Sequence, residues 1–424
     1  CNTSQKKKIS VRMGCMSRYW PHLQLPASVI FHVDSNLRVL YVVRVIRDII
    51  NQLIMFFIPI YMFEQSSHLL SYFGIPNALF HPLQRTLLVM AGYYGIERLI
   101  FLLTAIPIGK LTKKIGFSRA FIFSYILRLC GIIGLVFLPE HPWIFLCVAV
   151  IEGIQSTLFW PGFFTLFCQN IEKKTMGSSM GLLQFFLQLV GAITPAIGGF
   201  LAYQYGFSTL FLLAAILQLV SLSLVGLITV DRQHDAVSWS EFGSWLKRSD
   251  FVKEATSFVG RYVNDSVVAL WPLYMYLIVG GVDRVGYLLT VSLIMALMCI
   301  VAVGVYIDKV TGKQPFYVSG FSLALLWVVR SFSVLPWVLA SVQTAERVLG
   351  SVHWLIYDVT LVKISKGGQA YSHFMYRELV MSITAVIFWL AASALFLVTT
   401  NWQMLFGAAG LGVLLTLLVA QRIK

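Results

Sequence analysis

Apolar residues gather along this chain into runs of about 20, the length that crosses a bilayer as a helix, and polar residues collect in short gaps between them. Read from the amino end, the runs predict helices over Leu37 to Phe63, Arg85 to Ile108, Ala120 to Leu138, Pro142 to Phe167, Met176 to Tyr203 and Phe207 to Val230. A longer polar stretch, Asp231 to Asp250, interrupts the series. Six more runs follow, over Phe251 to Val279, Val285 to Ile307, Pro315 to Leu335, Trp337 to Val362, Ala370 to Thr399 and Trp402 to Ala420. The pattern predicts an all-α polytopic membrane protein with twelve transmembrane helices in two six-helix bundles, over residues 37–230 and 251–424. A tail at 1–36 precedes them and a linker at 231–250 joins them.

The gaps alternate in charge. Basic residues occupy the tail (Lys6, Lys7, Lys8, Arg12, Arg18) and the loops after spans two (Lys110, Lys113, Lys114, Arg119), four (Lys173, Lys174), eight (Lys309, Lys313) and ten (Lys363, Lys366). The odd-numbered loops carry little besides Arg284, with Arg85 at the edge of the first. Because cytoplasmic loops are enriched in Lys and Arg, this predicts a multi-pass protein of the cell (plasma or inner) membrane with both termini cytoplasmic. It also accounts for most of the formal net charge of +14 without nucleic acid as a partner. Composition agrees: 12% of residues are charged and 58% hydrophobic, against about 25% charged in a soluble chain. Lys6 to Lys8 lead into mixed polar sequence rather than a short apolar core, so the first span is expected to be its own insertion signal. The tail is assigned no function.

The two sets of six runs are related. Pro59-Ile60-Tyr61-Met62 of span one matches Pro272-Leu273-Tyr274-Met275 of span seven at an offset of 213, which also aligns Asn51 with Asn264. Glu152 and Trp160 of span four match Glu346 and Trp354 of span ten at an offset of 194. The longer first outside loop of the front half absorbs the difference, and Gly109 to Gly304 then gives 195. Pseudo-symmetric duplicated halves are the expectation.

After span two the chain reads Gly109-Lys-Leu-Thr-Lys113-Lys114-Ile-Gly116-Phe-Ser-Arg119, and after span eight Gly304-Val-Tyr-Ile-Asp308-Lys309. These loops resemble the G-x-L-x-D-R-x-G-R turn of the major facilitator superfamily. The resemblance implies two bundles that rock about a central site, a small-molecule substrate, and a cytoplasmic gate built from those residues. Basic residues there could equally serve topology alone. Lys113 stands where the family carries an acid, so any charge latch is lopsided. Thr194-Pro195-Ala-Ile-Gly198-Gly199 of span five resembles a motif associated with antiporters, though small residues beside a proline are also ordinary packing devices. Ala149 stands where proton-coupled drug antiporters of the family carry arginine.

Charge at the bilayer centre costs roughly 2.5–3.5 kcal/mol per residue, so each such residue needs a partner or a wet cavity. In the resembled architecture spans one, four, seven and ten line the cavity. Here they hold Arg44, Arg47, Asp48, Asn51 and Gln52; Glu152 and Gln155; Arg261, Asn264 and Asp265; and Glu346, Arg347 and His353. From these we expect a substrate and proton pathway over Asp48, Asn51, Gln52, Glu152, Gln155, Asn264, Asp265, Glu346, Arg347 and His353. Arg44 with Asp48 and Arg261 with Asp265 are spaced i, i+4 and can neutralise themselves. Glu152 and Glu346 have no base at that spacing on their own helices, which marks them as proton-responsive unless another helix supplies an arginine. Trp160 and Trp354 could stack on a substrate ring or simply pack. Glu97 and Arg128 fall at matched depths and are expected to form a structural pair.

No G-x-x-x-x-G-K-[ST] phosphate loop is present, the six cysteines show no ligand spacing, and neither metal nor cofactor is expected. An enzyme is not expected either. The expected function is secondary active transport by a monomer: proton-coupled export of an amphiphilic compound, or alternatively uptake of a small polar nutrient. A chain of this type that has become a sensor or scaffold is the third reading.

Overall fold

The computed structural model describes residues 35–170, 176–228, 235, 237–307, 313–333, 335–365 and 369–423. Asp308 and Lys309 lie outside these residues, as does the tail before 35, and Gly304 is described only as part of its helix. Among the described residues every regular element is helical. Lipid offers no partner for a backbone N–H or C=O, so each spanning segment must satisfy its own.

Span one is bent by 40° between α1 (Ser35–Met55) and α2 (Ile58–Tyr72). Pro59, in the first turn of α2, lacks the N–H that would bond Met55 and crowds that carbonyl, which breaks the helix there. Helix α3 (Pro82–Ile115) opens on a cap in which the His81 ring accepts from the Leu83 N–H and the Gln84 side chain accepts from the His81 N–H. Gly116, at φ 83°, closes it and turns the chain into α4 (Phe117–Phe137). That left-handed value favours glycine and explains the second glycine of the loop motif. Helix α5 (Ile144–Asn170) follows, then α6 (Met176–Val225), a continuous run broken only at Gly206 (φ 81°) into spans five and six.

The polar linker holds a short helix, α7 (Trp239–Leu246), with Ser238 capping the Glu241 N–H. The second half comprises α8 (Ser249–Val279), α9 (Val282–Ile307), α10 (Gln314–Arg330), α11 (Pro336–Ser365), α12 (Ala370–Val398) and α13 (Trp402–Thr416), which tightens into a 3-10 turn (Leu417–Arg422). Among the described residues eight helices are long and apolar enough to cross a bilayer, and the bent α1–α2 pair makes a ninth. The break at Gly206 divides one of them, and α9 and α10 supply the rest of a twelve-span architecture. Leu103, Phe332, Leu390 and Val398 are exposed on the outer faces, where lipid takes the place of water.

The halves meet along two seams, α3 against α12 and α6 against α9. At the second seam a Cβ on Gly199 would meet the Val282 carbonyl at 2.9 Å and the Gly286 backbone at 3.2 Å. Only glycine permits that approach. Gly198 beside it leaves room for the Phe57 ring, 2.5 Å from where a Cβ would stand. The small residues of the span-five motif are thus used for packing.

Candidate substrate chamber

Between the seams lie two chambers of about 300 and 340 Å³ that share Arg98, Trp160 and Asp265 in their walls. The first has an aromatic side, with Trp160, Phe163, Phe164 and Phe167 of α5 and Phe258 of α8, and a charged side, with Arg44, Arg98, Arg261, Arg377, Asp265, Asp358 and Glu378. The second is lined by Arg47 and Asn51 of α1, Glu97 and Arg98 of α3, Arg128 of α4, Glu152 and Gln155 of α5, and Tyr262 and Asp265 of α8.

Of the residues expected in the pathway, Asn51, Glu152, Gln155 and Asp265 line these chambers. Asp48 lies outside both linings and is tied to Arg44 at 3.1 Å and to Gln52 at 2.7 Å. Gln52 packs on Gly191 of α6. Asn264 accepts from the Trp327 indole at 2.9 Å. His353 is a core residue: fully buried, its ring stacks on Phe316 at 4.4 Å and its nitrogens meet Ser319 and Thr416. Glu346 and Arg347 also stand outside the two linings. Glu346 lies 3.7 Å from Arg330 and 4.0 Å from Arg347, so arginine holds it after all.

The expected pair of Glu97 and Arg128 is not formed. Both line the second chamber, but Arg128 donates to Asn51, and Glu97 lies 3.6 Å from Arg98 on its own helix. Matched depth put the two residues at one level without turning them toward each other. The tryptophans of the repeat are occupied by cations: Arg44 and Arg47 stand 5.4 Å from the Trp160 ring centre and Arg261 stands 3.9 Å from that of Trp354. Such contacts contribute about 0.5–2 kcal/mol each.

Three features were not expected. Arg98 of α3 reaches Glu378 of α12 at 3.6 Å, an ion pair across the first seam, so spans two and eleven also line the site. Arg377 lies over Phe164 at 4.2 Å and donates to Glu378 at 2.5 Å. Asp358 faces the first chamber from α11. Each was visible as a charge inside an apolar run: Arg98 and Arg377 lie on spans two and eleven, outside the first helix of each triplet, whereas Asp358 lies on span ten and was passed over on a helix already expected to line the cavity.

At the linker end, Gly109 leaves no room for a side chain between Val237 and Met375, so the first gate glycine serves a close approach of α3 to the linker. Lys113, Lys114 and Arg119 are exposed and, among the described residues, form no ion pair. The contacts there come instead from α7: Tyr376 donates to Glu241 at 2.8 Å, and Trp245 packs on Phe251 and Tyr376. Among the described residues no cluster of three metal-ligating side chains occurs.

The sequence model of the Major Facilitator Superfamily matches residues 40–255, just over half of the chain. The chain belongs to the major facilitator superfamily. Over 112 residues it is 27% identical to uncharacterized MFS-type transporters from two strains of Pseudomonas aeruginosa. That stretch is 26% of this chain and 28% of each relative, so the match spans little more than a quarter of the relatives' length. The fold is also that of the human organic anion transporter MFSD10, with a TM-score of 0.63 over 92% of this chain and all of the other, at 12% identity. Members of this superfamily are transport proteins rather than enzymes, and the two chambers sit between its two halves.

Proposed function

We propose that this chain carries a small amphiphilic solute by alternating access, bound in the paired chambers and coupled to proton movement. The observation that supports this reading is the division of the first chamber into an aromatic wall and a charged wall at the junction of the two halves. An amphiphile would contact both halves at once, and closing either end around it would move them as units.

Proton coupling is assigned to Glu152. It lines the second chamber, accepts a 2.6 Å hydrogen bond from the Gln155 amide, and among the described residues has no ion pair. Export was the direction read from the span-five motif, whose glycines are engaged in packing. The polarity is therefore assigned by experiment, through the sign of the pH gradient that drives accumulation. We further take the chain to act as a monomer in the cell membrane with both termini cytoplasmic, which reporter fusions after Lys174 and Asp283 would test by opposite signals.

In proteoliposomes, Glu152→Gln should retain solute exchange and lose accumulation driven by a pH gradient, because the amide mimics the protonated acid. Gradient-driven accumulation equal to wild type would remove Glu152 from the coupling path. An absence of any solute flux from the wild-type chain would overturn the transport reading itself.

A further inference from the structure

The charged groups of the first chamber differ in what they have left to offer. Four guanidiniums line it, from Arg44, Arg98, Arg261 and Arg377, and each presents five N–H donors. Among the described residues, acids take one hydrogen bond each from Arg44, Arg261 and Arg377, while Arg98 stands 3.6 Å from Glu97 and from Glu378. The acceptors are nearly spent. Asp265 takes Arg261 at 2.7 Å and Asn264 at 3.1 Å, and Glu378 is held between Arg377 and Arg98.

Asp358 is the exception. Among the described residues it has neither a hydrogen bond nor an ion pair within 4.0 Å. The charges that act on it are Arg261 and Asp265 from α8, Arg377 from α12 and Arg44 from α1, with Glu378 across the same chamber.

We propose that the first chamber binds a small organic anion, with an oxygen-rich carboxylate, sulfonate or phosphate head among Arg98, Arg261 and Arg377, and that Asp358 must be protonated for it to bind. This rests on reading the chamber as the substrate site and names the class of substrate. Guanidinium forks match such heads in pairs of parallel hydrogen bonds, which an ammonium cannot imitate. The apolar body then lies on Trp160, Phe163 and Phe164. A cationic head would find two of the chamber's three acid side chains already engaged by arginine.

Ionised Asp358 repels an incoming anion and competes for Arg261 and Arg377. Protonation removes both obstacles, and an anion entering with one proton leaves the chamber's net charge unchanged. That avoids adding a net charge to a chamber enclosed between the two halves, where desolvation makes uncompensated charge costly. Affinity should therefore rise as pH falls, by up to about tenfold per pH unit for one linked proton.

The test uses the full chain in nanodiscs, with empty nanodiscs as reference, and three probes of one shape: naphthalenesulfonate, naphthalenemethanol and naphthylmethylammonium. Binding is read by melting temperature and tryptophan quenching at acidic and alkaline pH. Sulfonate should bind best and more tightly in acid. Asp358→Asn should hold the acid-side affinity at both pH values, and Arg377→Lys, which keeps the charge but not the fork, should weaken sulfonate at least about tenfold. Preference for the ammonium, or a wild-type pH slope surviving in Asp358→Asn, would overturn the proposal. Should that variant not fold, a wild-type affinity independent of pH would overturn it equally. Solute flux measured on the same preparations separates the two readings: sulfonate binding without any flux defeats transport alone, and flux of other solutes without sulfonate binding defeats the anion assignment alone.

Discussion

Each half of this chain contains an arginine enclosed by aromatic rings and handed through a glutamine to a glutamate, and the two copies are built differently. In the front half Arg47 is fully buried, 3.7 Å from the Phe159 ring centre. It donates to Gln155 at 2.8 Å, and Gln155 donates to Glu152 at 2.6 Å. In the back half Arg330 lies between Trp271 and Trp327 at 4.3 and 4.2 Å and donates to Gln343 at 3.1 Å. Gln343 reaches Glu346 only at 3.4 Å, while Arg330 itself stands 3.7 Å from that carboxylate. The front copy keeps charge from charge with an amide spacer and opens onto a chamber. The back copy brings the ions together outside both chamber linings. The front copy is the one we propose to respond to a proton, and the back copy has the geometry of a brace.

That contrast is open to disproof by deleting the acids. Glu346→Ala leaves Arg330 buried without its carboxylate, and removing one partner of a buried ion pair costs about 3–5 kcal/mol. Glu152→Ala removes the charged acceptor of one amide hydrogen bond, a loss of about 1.5–3 kcal/mol. Melting temperatures in detergent should fall more for Glu346→Ala, and equal falls would show that the two glutamates serve alike.

The seam between the halves sharpens the comparison from outside either copy. Arg98 and Glu378 form an ionic link across α3 and α12, and if the proposed alternating access opens it in each cycle it should matter more for rate than for stability. A double-mutant cycle with Arg98→Gln and Glu378→Gln should give a coupling energy of about 0.5–3 kcal/mol, together with a changed exchange rate. Strict additivity in both readouts would show that the two residues act independently.

Much of this was legible in the sequence. Span length, loop charge and the matched Pro59 and Pro272 segments carry the fold, because the demands of a bilayer on length and polarity act residue by residue. Site geometry was less accessible. Glu152 and Glu346 are aligned in the repeat and equally without a base three or four positions away on their own helices, yet Arg330, which reaches Glu346, comes from the third helix of its triplet, a position with no charge at the corresponding place in the front half. His353 illustrates the same limit: a polar residue in a span reads as a cavity residue until Ser319 and Thr416 are seen to satisfy it. Helical spacing shows what a residue meets on its own helix, whereas its partners across helices depend on rotation angles the sequence does not display.

The two glutamines give the finest test of the comparison. Among the described residues Gln155 is the one side chain that bonds both Arg47 and Glu152, and it also lies 3.1 Å from the Ser156 hydroxyl. Gln155→Met would preserve volume while leaving a buried guanidinium and a carboxylate each without its amide partner, a loss of about 3–6 kcal/mol since hydrogen bonds to charged groups contribute about 1.5–3 each. Gln343→Met would cost less, about 1 kcal/mol or under, because Arg330 stays close enough to Glu346 to turn to it directly and its face remains covered by two indoles. Unfolding of the two variants under identical conditions should rank Gln155→Met as the more damaging. The reverse order would mean that the amide in the back half carries the brace, and that the 3.7 Å approach of Arg330 to Glu346 contributes little.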